Sequence, residues 1–158
     1  MFLAVYVQVF FFVTFFENRK KILIRTGKIA LQRYPAVTII VPCWNEEGTV
    51  YRTVRSLLML RYPKDKLKIF LVDDGSTDGT WAAIQKFAKY NNLKIFRKDN
   101  GGKHTALNLG LSHVETDFLG CLDADSVVDP EALVRIMSYF EQDPQAMAVT
   151  PSIIVHDP

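Results

Sequence analysis

Three acidic clusters carry the residues most able to do chemistry: "NEE" (45–47), "DDGSTD" (73–78) and "DADS" (123–126). In the last, Asp123 and Asp125 are separated by one residue, so both can reach a hard cation such as Mg²⁺ or Mn²⁺ that prefers oxygen ligands. So few protein ligands would leave the ion open positions for water or phosphate oxygens. The competing reading has Asp125 or Asp129 capping a helix that begins near Pro130. Asp73 and Asp74 are neighbouring like charges that need a donor, for which a uracil N–H or a ribose hydroxyl would serve. Gly75 permits a tight turn there, and Ser76, Thr77 or Asp78 can cap the next helix, with Asp78 read as a cap only. Trp44 offers an aromatic face to a base, or belongs to the core.

A positive counterpart follows in "DNGGKHTALNLG" (99–110). Gly101 and Gly102 let the backbone approach a ligand, and Lys103 at a helix start can neutralise a diphosphate beside a metal. Without the acidic clusters Lys103 would read as a solvated surface residue. His104 and Asn108 fall one helical turn apart and line the same cleft, or serve the structure only.

The elements that must position these residues alternate in type. Strands are expected at 36–42, 67–73, 93–97 and 117–123, with "AMAVTPSIIV" (146–155) a fifth made uncertain by Pro151. Helices are expected over 47–60, 78–90 and 104–115, the last with Leu107, Leu111 and Val114 aligned. A further helix starts in the turn at Pro130 and carries Leu133, Ile136, Met137 and Phe140. Continuous apolar strands alternating with helices imply a mostly parallel, three-layer α/β sheet. Each acidic cluster then falls beyond the carboxyl end of a strand, where open α/β sheets bind ligands.

The chain has 158 residues, of which 49% are hydrophobic and 23% charged, a globular balance sufficient for one core. Its net charge of +2 is uneven: residues 17–34 hold six Lys/Arg against Glu17, while the rest holds 13 basic and 16 acidic residues. That basic stretch follows the apolar run "MFLAVYVQVFFFVTFF", so its expected partner is a membrane and not nucleic acid. Residues 1–16 read as a transmembrane or membrane-anchoring helix, or as a packed core helix, and 17–35 as a basic juxtamembrane linker. The positive-inside rule then puts the domain on the cytoplasmic face of a plasma or inner membrane. Cys43 and Cys121 lack metal-ligand spacing and read as buried free thiols, which fits a reducing compartment. No G-x-G-x-x-G or G-x-x-x-x-G-K-[ST] occurs, which disfavours a dinucleotide fold and a P-loop.

In their order and spacing, "TIIVPCWNEEGTV", "IFLVDDGSTDGT", "NGGKHTALNLGL" and "FLGCLDADSVVDPEAL" resemble the family-2 glycosyltransferases, nearest to the membrane-bound processive synthases of cellulose, chitin, hyaluronan and poly-N-acetylglucosamine. The resemblance runs from about residue 36 to 143. It implies a GT-A fold, here Rossmann-like, truncated and preceded by the N-terminal hydrophobic helix, with 36–158 as the nucleotide-sugar-binding half. It also implies a UDP-linked sugar donor, a saccharide acceptor, Mg²⁺ or Mn²⁺, and inverting transfer. By resemblance Pro42, Cys43, Trp44, Asn45, Glu46 and Asp74 surround the nucleoside, Lys103 and Asp123 lie near the donor, and Asp125 coordinates the metal. Asp73, Asn108 and Ala124 are further candidates for donor binding, and Asp123 for the metal. The family's general base, in a later T-E-D or E-D motif, and its Q-x-x-R-W motif do not occur before Pro158, so the chain alone is expected to be inactive. Two other functions are open: a Mg²⁺-dependent phosphohydrolase with Asp123 as nucleophile, and a non-catalytic nucleotide-sugar-binding or assembly module.

Overall fold

A computed structural model of the chain describes residues 31–151. Eight elements alternate in order: β1 (Val37–Cys43), α1 (Val50–Leu58), β2 (Leu67–Asp74), α2 (Thr80–Gln85), β3 (Leu93–Lys98), α3 (Lys103–Leu111), β4 (Phe118–Cys121) and α4 (Ala132–Gln142). The four strands form one parallel sheet in the order β3-β2-β1-β4. The chain steps outward from β1 to β3 and then crosses back to β4 on the other side of β1. The carboxyl ends of β1 and β4 therefore flank the switch point at which open α/β sheets form their crevice.

Alternation along the strands sends successive side chains to opposite faces. Val37, Ile39 and Val41 of β1, with Leu67, Ile69 and Leu71 of β2, pack under α1, α2 and α4 through Val54, Leu57, Ile84, Leu133 and Met137. Ile40, Phe70 and Val72 point the other way, onto Ala106 of α3. The result is three layers, as expected. At about 25 cal/mol per Å² of apolar area, these side chains supply the main driving force for docking both helical layers on the sheet.

Several boundaries differ from the sequence expectation, each for a local reason. Residues 86–89 form turns, because the amides of Phe87, Ala88 and Tyr90 bond three residues back, to Ile84, Gln85 and Phe87. In α3 the sheet-facing residues are Ala106 and Gly110, and Leu111 is 51% exposed. A Cβ on Gly110 would stand 2.8 Å from Ile40 Cγ2, so the small residues set how closely α3 approaches. β4 lies at the edge of the sheet and alternates partly buried with exposed residues, so Cys121 is exposed and only Cys43 is a buried thiol. Residues 146–151 carry no strand. The apolar run at 1–16, most of the basic linker and residues 152–158 lie outside the described residues. Among the described residues, no helix is long and apolar enough to cross a membrane.

Candidate functional site

A cleft of about 370 Å³ opens at the carboxyl ends of β1, β2 and β4, within the range usual for small-molecule sites. Of the residues expected at a donor site, Pro42, Cys43, Trp44, Glu46, Asp74, Lys103, Asp123, Ala124 and Asp125 line it together. They come from four separate stretches that only the fold brings into contact. Trp44 is 56% exposed, so it is no part of the core and its ring is free at the wall.

Across the cleft, Lys103 Nζ at the start of α3 lies 2.5 Å from Asp123 Oδ1 beyond β4. The hydrogen bond it donates to Asp123 is the main reason the Lys103 ammonium is held above its usual range, against a smaller downward pull from burial. Asp125 is left open, its Oδ1 taking only the Ser126 hydroxyl at 3.3 Å. Beyond β1, Glu46 Oε2 accepts the Thr49 hydroxyl at 2.5 Å. Burial, then Asp73 and Glu46, pushes the Cys43 thiol up to about 12.

The loop bearing Trp44 and Glu46 is braced against the "STDGT" turn. Asn45, at φ 55°, donates its amide to Ser76 Oγ at 3.0 Å, and its side-chain oxygen accepts the Thr77 amide at 2.9 Å. The Glu46 amide donates to Thr80 Oγ1 at 2.7 Å, and the Glu47 amide to Asp78 Oδ2 at 3.2 Å. Asp78 also accepts the Thr80 amide at 3.0 Å, at the first residue of α2. The cap position is Gly79, which has no side-chain cap bond, so Asp78 closes the turn one residue earlier and ties two loops together instead of acting as the cap alone. Asp129 accepts the Glu131 amide at 2.8 Å in the turn before α4, which leaves Asp125 free of that duty.

Four expected residues stand outside the cleft, among them His104, which is exposed on α3. Asn45 braces the loop as described. Asn108 lies more than a turn into α3, exposed, where the helix has run away from the strand ends. Asp73 is fully buried, because alternation points it to the α2 side and its neighbour Asp74 to the α3 side. Each carboxylate has a cation of its own chain beside it, although Asp73 Oδ2 takes no hydrogen bond. In the β2–β3 register Asp73 faces Arg97 and Asp74 faces Lys98. Arg97 Nε lies 3.1 Å from Asp73 Oδ2, an ion pair without hydrogen-bond alignment, and its guanidinium stacks 4.9 Å from the Trp81 ring centroid. Lys98 Nζ lies 2.7 Å from Asp74 Oδ1. Sequence reasoning missed both cations, and also Asn100, which lines the cleft beside Gly102. The signal was present as "RK" ending the strand after "DD", but using it requires the strand register.

The donor set suits a shared cation and not an enclosed one. Among the described residues no three His, Cys, Asp or Glu side chains converge to hold an ion. Asp125 and Asp123 offer at the cleft the hard oxygens that Mg²⁺ or Mn²⁺ prefers, with Asp123 paired to Lys103.

A family model described as glycosyl transferase family 2 matches residues 38–157. A poly-beta-1,6-N-acetyl-D-glucosamine synthase of Staphylococcus aureus is 37% identical over 124 residues, covering 77% of this chain and 29% of that protein. The Staphylococcus epidermidis enzyme of the same name is 35% identical over 120 residues, 75% of this chain and 29% of its own length. The chain thus spans less than a third of these relatives. Among solved structures, the mannosyltransferase PcManGT from Pyrobaculum calidifontis, in complex with GDP-Man and Mn²⁺, superposes with a TM-score of 0.66 at 27% identity, covering 81% of this chain and 39% of that one. S. aureus TarS 1-349 in complex with UDP-GlcNAc gives 0.61 at 28% identity, with 68% and 31% covered. By its motifs, its sheet order and a family match over most of its length, this chain belongs to glycosyl transferase family 2 and has that family's GT-A type of α/β fold.

Proposed function

We propose that the cleft binds the donor of an inverting glycosyl transfer, a nucleotide-linked sugar with UDP as its carrier, and that the acceptor is a growing polysaccharide or other saccharide. The observation that carries this reading is the facing of Lys103 and Asp123 across a cleft that has an open carboxylate, Asp125, on one side and an exposed indole, Trp44, on the other. A diphosphate needs that combination: a fixed ammonium, a hard-oxygen site for a cation, and an apolar face for the base. The curated relatives named as synthases and the solved neighbours holding GDP-Man with Mn²⁺ or UDP-GlcNAc support the same substrate class.

In the reaction, negative charge grows on the departing nucleoside diphosphate. Lys103 leaves Asp123 for the phosphates and neutralises part of that charge. Asp125, with Asp123, would hold Mg²⁺ or Mn²⁺, which supplies Lewis-acid stabilisation of the same leaving group. Glu46 and the braced loop orient the nucleoside, and Trp44 covers it. A carboxylate must take the proton of the acceptor hydroxyl, and none of the carboxylates in this cleft is assigned that task. A hydrolase with Asp123 as nucleophile is the weaker reading, since it leaves the braced loop bearing Glu46 and the glycine turn before Lys103 without a role. We further place residues 1–16 in or on a membrane, 17–35 as its basic linker on the cytoplasmic side, and 36–158 as the donor-binding half of a longer domain.

Calorimetric titration of UDP with and without Mn²⁺, on the wild-type chain and Asp125→Ala, tests the core of this reading. Binding should require the metal and fall by at least about tenfold in the variant. Metal-independent binding, or none in the wild type, would overturn it.

A further inference from the structure

Asp74 is 2% exposed, yet it touches the cleft with a carboxylate already crowded with donors from its own chain. Its Oδ1 accepts Lys98 Nζ at 2.7 Å and the Gly101 amide at 3.1 Å, with the Thr105 hydroxyl at 3.4 Å. Its Oδ2 accepts the Gly102 amide at 2.7 Å. A carboxylate has about four lone-pair sites, so most of its capacity is spent inside the protein. Burial alone would raise this carboxyl, but Lys98 and the two glycine amides outweigh it and hold the group below the ordinary range.

The donors all belong to the stretch that leads into α3. Lys98 also donates to the Asp99 carbonyl, so one ammonium ties the buried carboxylate to the first peptide of the turn. Gly102 sits at φ +89°, and a Cβ on Gly101 would lie 2.8 Å from Thr105 Oγ1 and 3.0 Å from Lys98 Nζ. The turn is therefore molded around the Asp74–Lys98 pair, and the next residue is Lys103.

We propose that Lys98 is a positioning residue: with Asp74 it locks the turn at 99–102 and so fixes where Lys103 emerges to meet the donor's diphosphate. The role given to Lys103 rests on the donor reading above, whereas the lock on the turn does not. Lys98 does not line the cleft, its ammonium being bonded to Asp74 and the Asp99 carbonyl, so its influence on binding passes through Lys103.

The test compares UDP with Mn²⁺ against uridine as calorimetric probes, on the full 158-residue chain carrying Lys98→Met, Lys103→Met or both, with NMR-detected amide exchange at Gly101 and Gly102. Lys98→Met should weaken UDP roughly tenfold while changing uridine less than about twofold, and should add nothing once Lys103 is already Met. Exchange at the two amides should quicken. Equal losses for uridine and UDP, additive effects in the double variant, or unchanged exchange would each overturn the proposal. If the wild type binds no UDP, the donor reading fails, and the exchange rates alone decide whether Lys98 locks the turn. Should Lys98→Met not fold, Lys98→Gln, which keeps a neutral donor, takes its place in every arm.

Discussion

At the scale of single residues, the chemistry turns on which way neighbouring side chains point. Asp73 and Asp74 are adjacent in sequence, but strand alternation gives one to Arg97 and Trp81 under α2 and the other to Lys98 and the glycine turn beside α3. The two cysteines divide in a similar way. Cys43 is 1% exposed, and burial with Asp73 and Glu46 pushes its thiol up to about 12, whereas Cys121 is exposed on the edge strand. Reactivity follows the thiolate and access to it. At pH about 8.5, iodoacetamide should therefore modify Cys121 alone in the native chain and both thiols after unfolding, as peptide mass mapping would reveal. The linked stability has a definite sign. A thiol whose folded value is raised favours the folded state fully below its unfolded value of about 8.5, and that contribution is lost as pH climbs from there toward 12. Native labelling of Cys43 at the rate of Cys121 would contradict the packing described.

At the scale of elements, the strand-then-acid pattern was readable because continuous apolar runs end where polar residues begin, and the sheet turns that into one edge. Nine of the expected site residues share the cleft for that reason. What could not be read was set by packing between distant segments. The spacing of His104 and Asn108 gives a helix turn but not the direction in which α3 leaves the cleft. Likewise, the partners of "DD" depend on the β2–β3 register. The alignment of Leu111 in the core also failed, because Gly110 and Ala106 take the sheet side. Adding a methyl at Gly110 places a carbon 2.8 Å from Ile40 Cγ2 and 2.9 Å from Cδ1, on a side chain that is 1% exposed and cannot move aside. Overpacking of this kind costs about 1–3 kcal/mol, against about 1 kcal/mol gained from helix propensity. Gly110→Ala should therefore lower the urea midpoint by a net loss on the order of 1 kcal/mol. Gly48, with nothing within 4 Å of the same added carbon, supplies the contrast. Gly48→Ala should be neutral or stabilising by about 0.4–1 kcal/mol. A harmless Gly110→Ala would mean that α3 rides further from the sheet.

At the scale of the molecule, the sheet has two edge strands among the described residues, and they differ: β3 carries Lys94, Arg97 and Lys98, whereas β4 carries no charge. β1 and β2 are paired on both edges, but among the described residues β4 pairs only with β1, and its four residues alternate between partly buried and exposed. Leu119 is 49% exposed there, and Leu111, also largely exposed, belongs to α3 on the face toward which Leu119 points. A strand edge that leaves backbone donors and acceptors unpaired beside apolar side chains is a template for another strand. The chain should therefore associate with itself through β4 as its concentration rises. Light scattering in a detergent that covers the apolar run at residues 1–16 would follow this as an increase in average mass. Leu119→Lys puts a charge on that edge, the device by which natural sheets block such pairing. It should keep the mass near that of one chain while leaving UDP binding unchanged, since Leu119 does not line the cleft. If the variant associates as strongly as the wild type, the contact lies elsewhere on the surface. If it loses nucleotide affinity as well, the edge strand and the "DADS" turn beyond it are coupled, and the position of Asp123 depends on what pairs with β4.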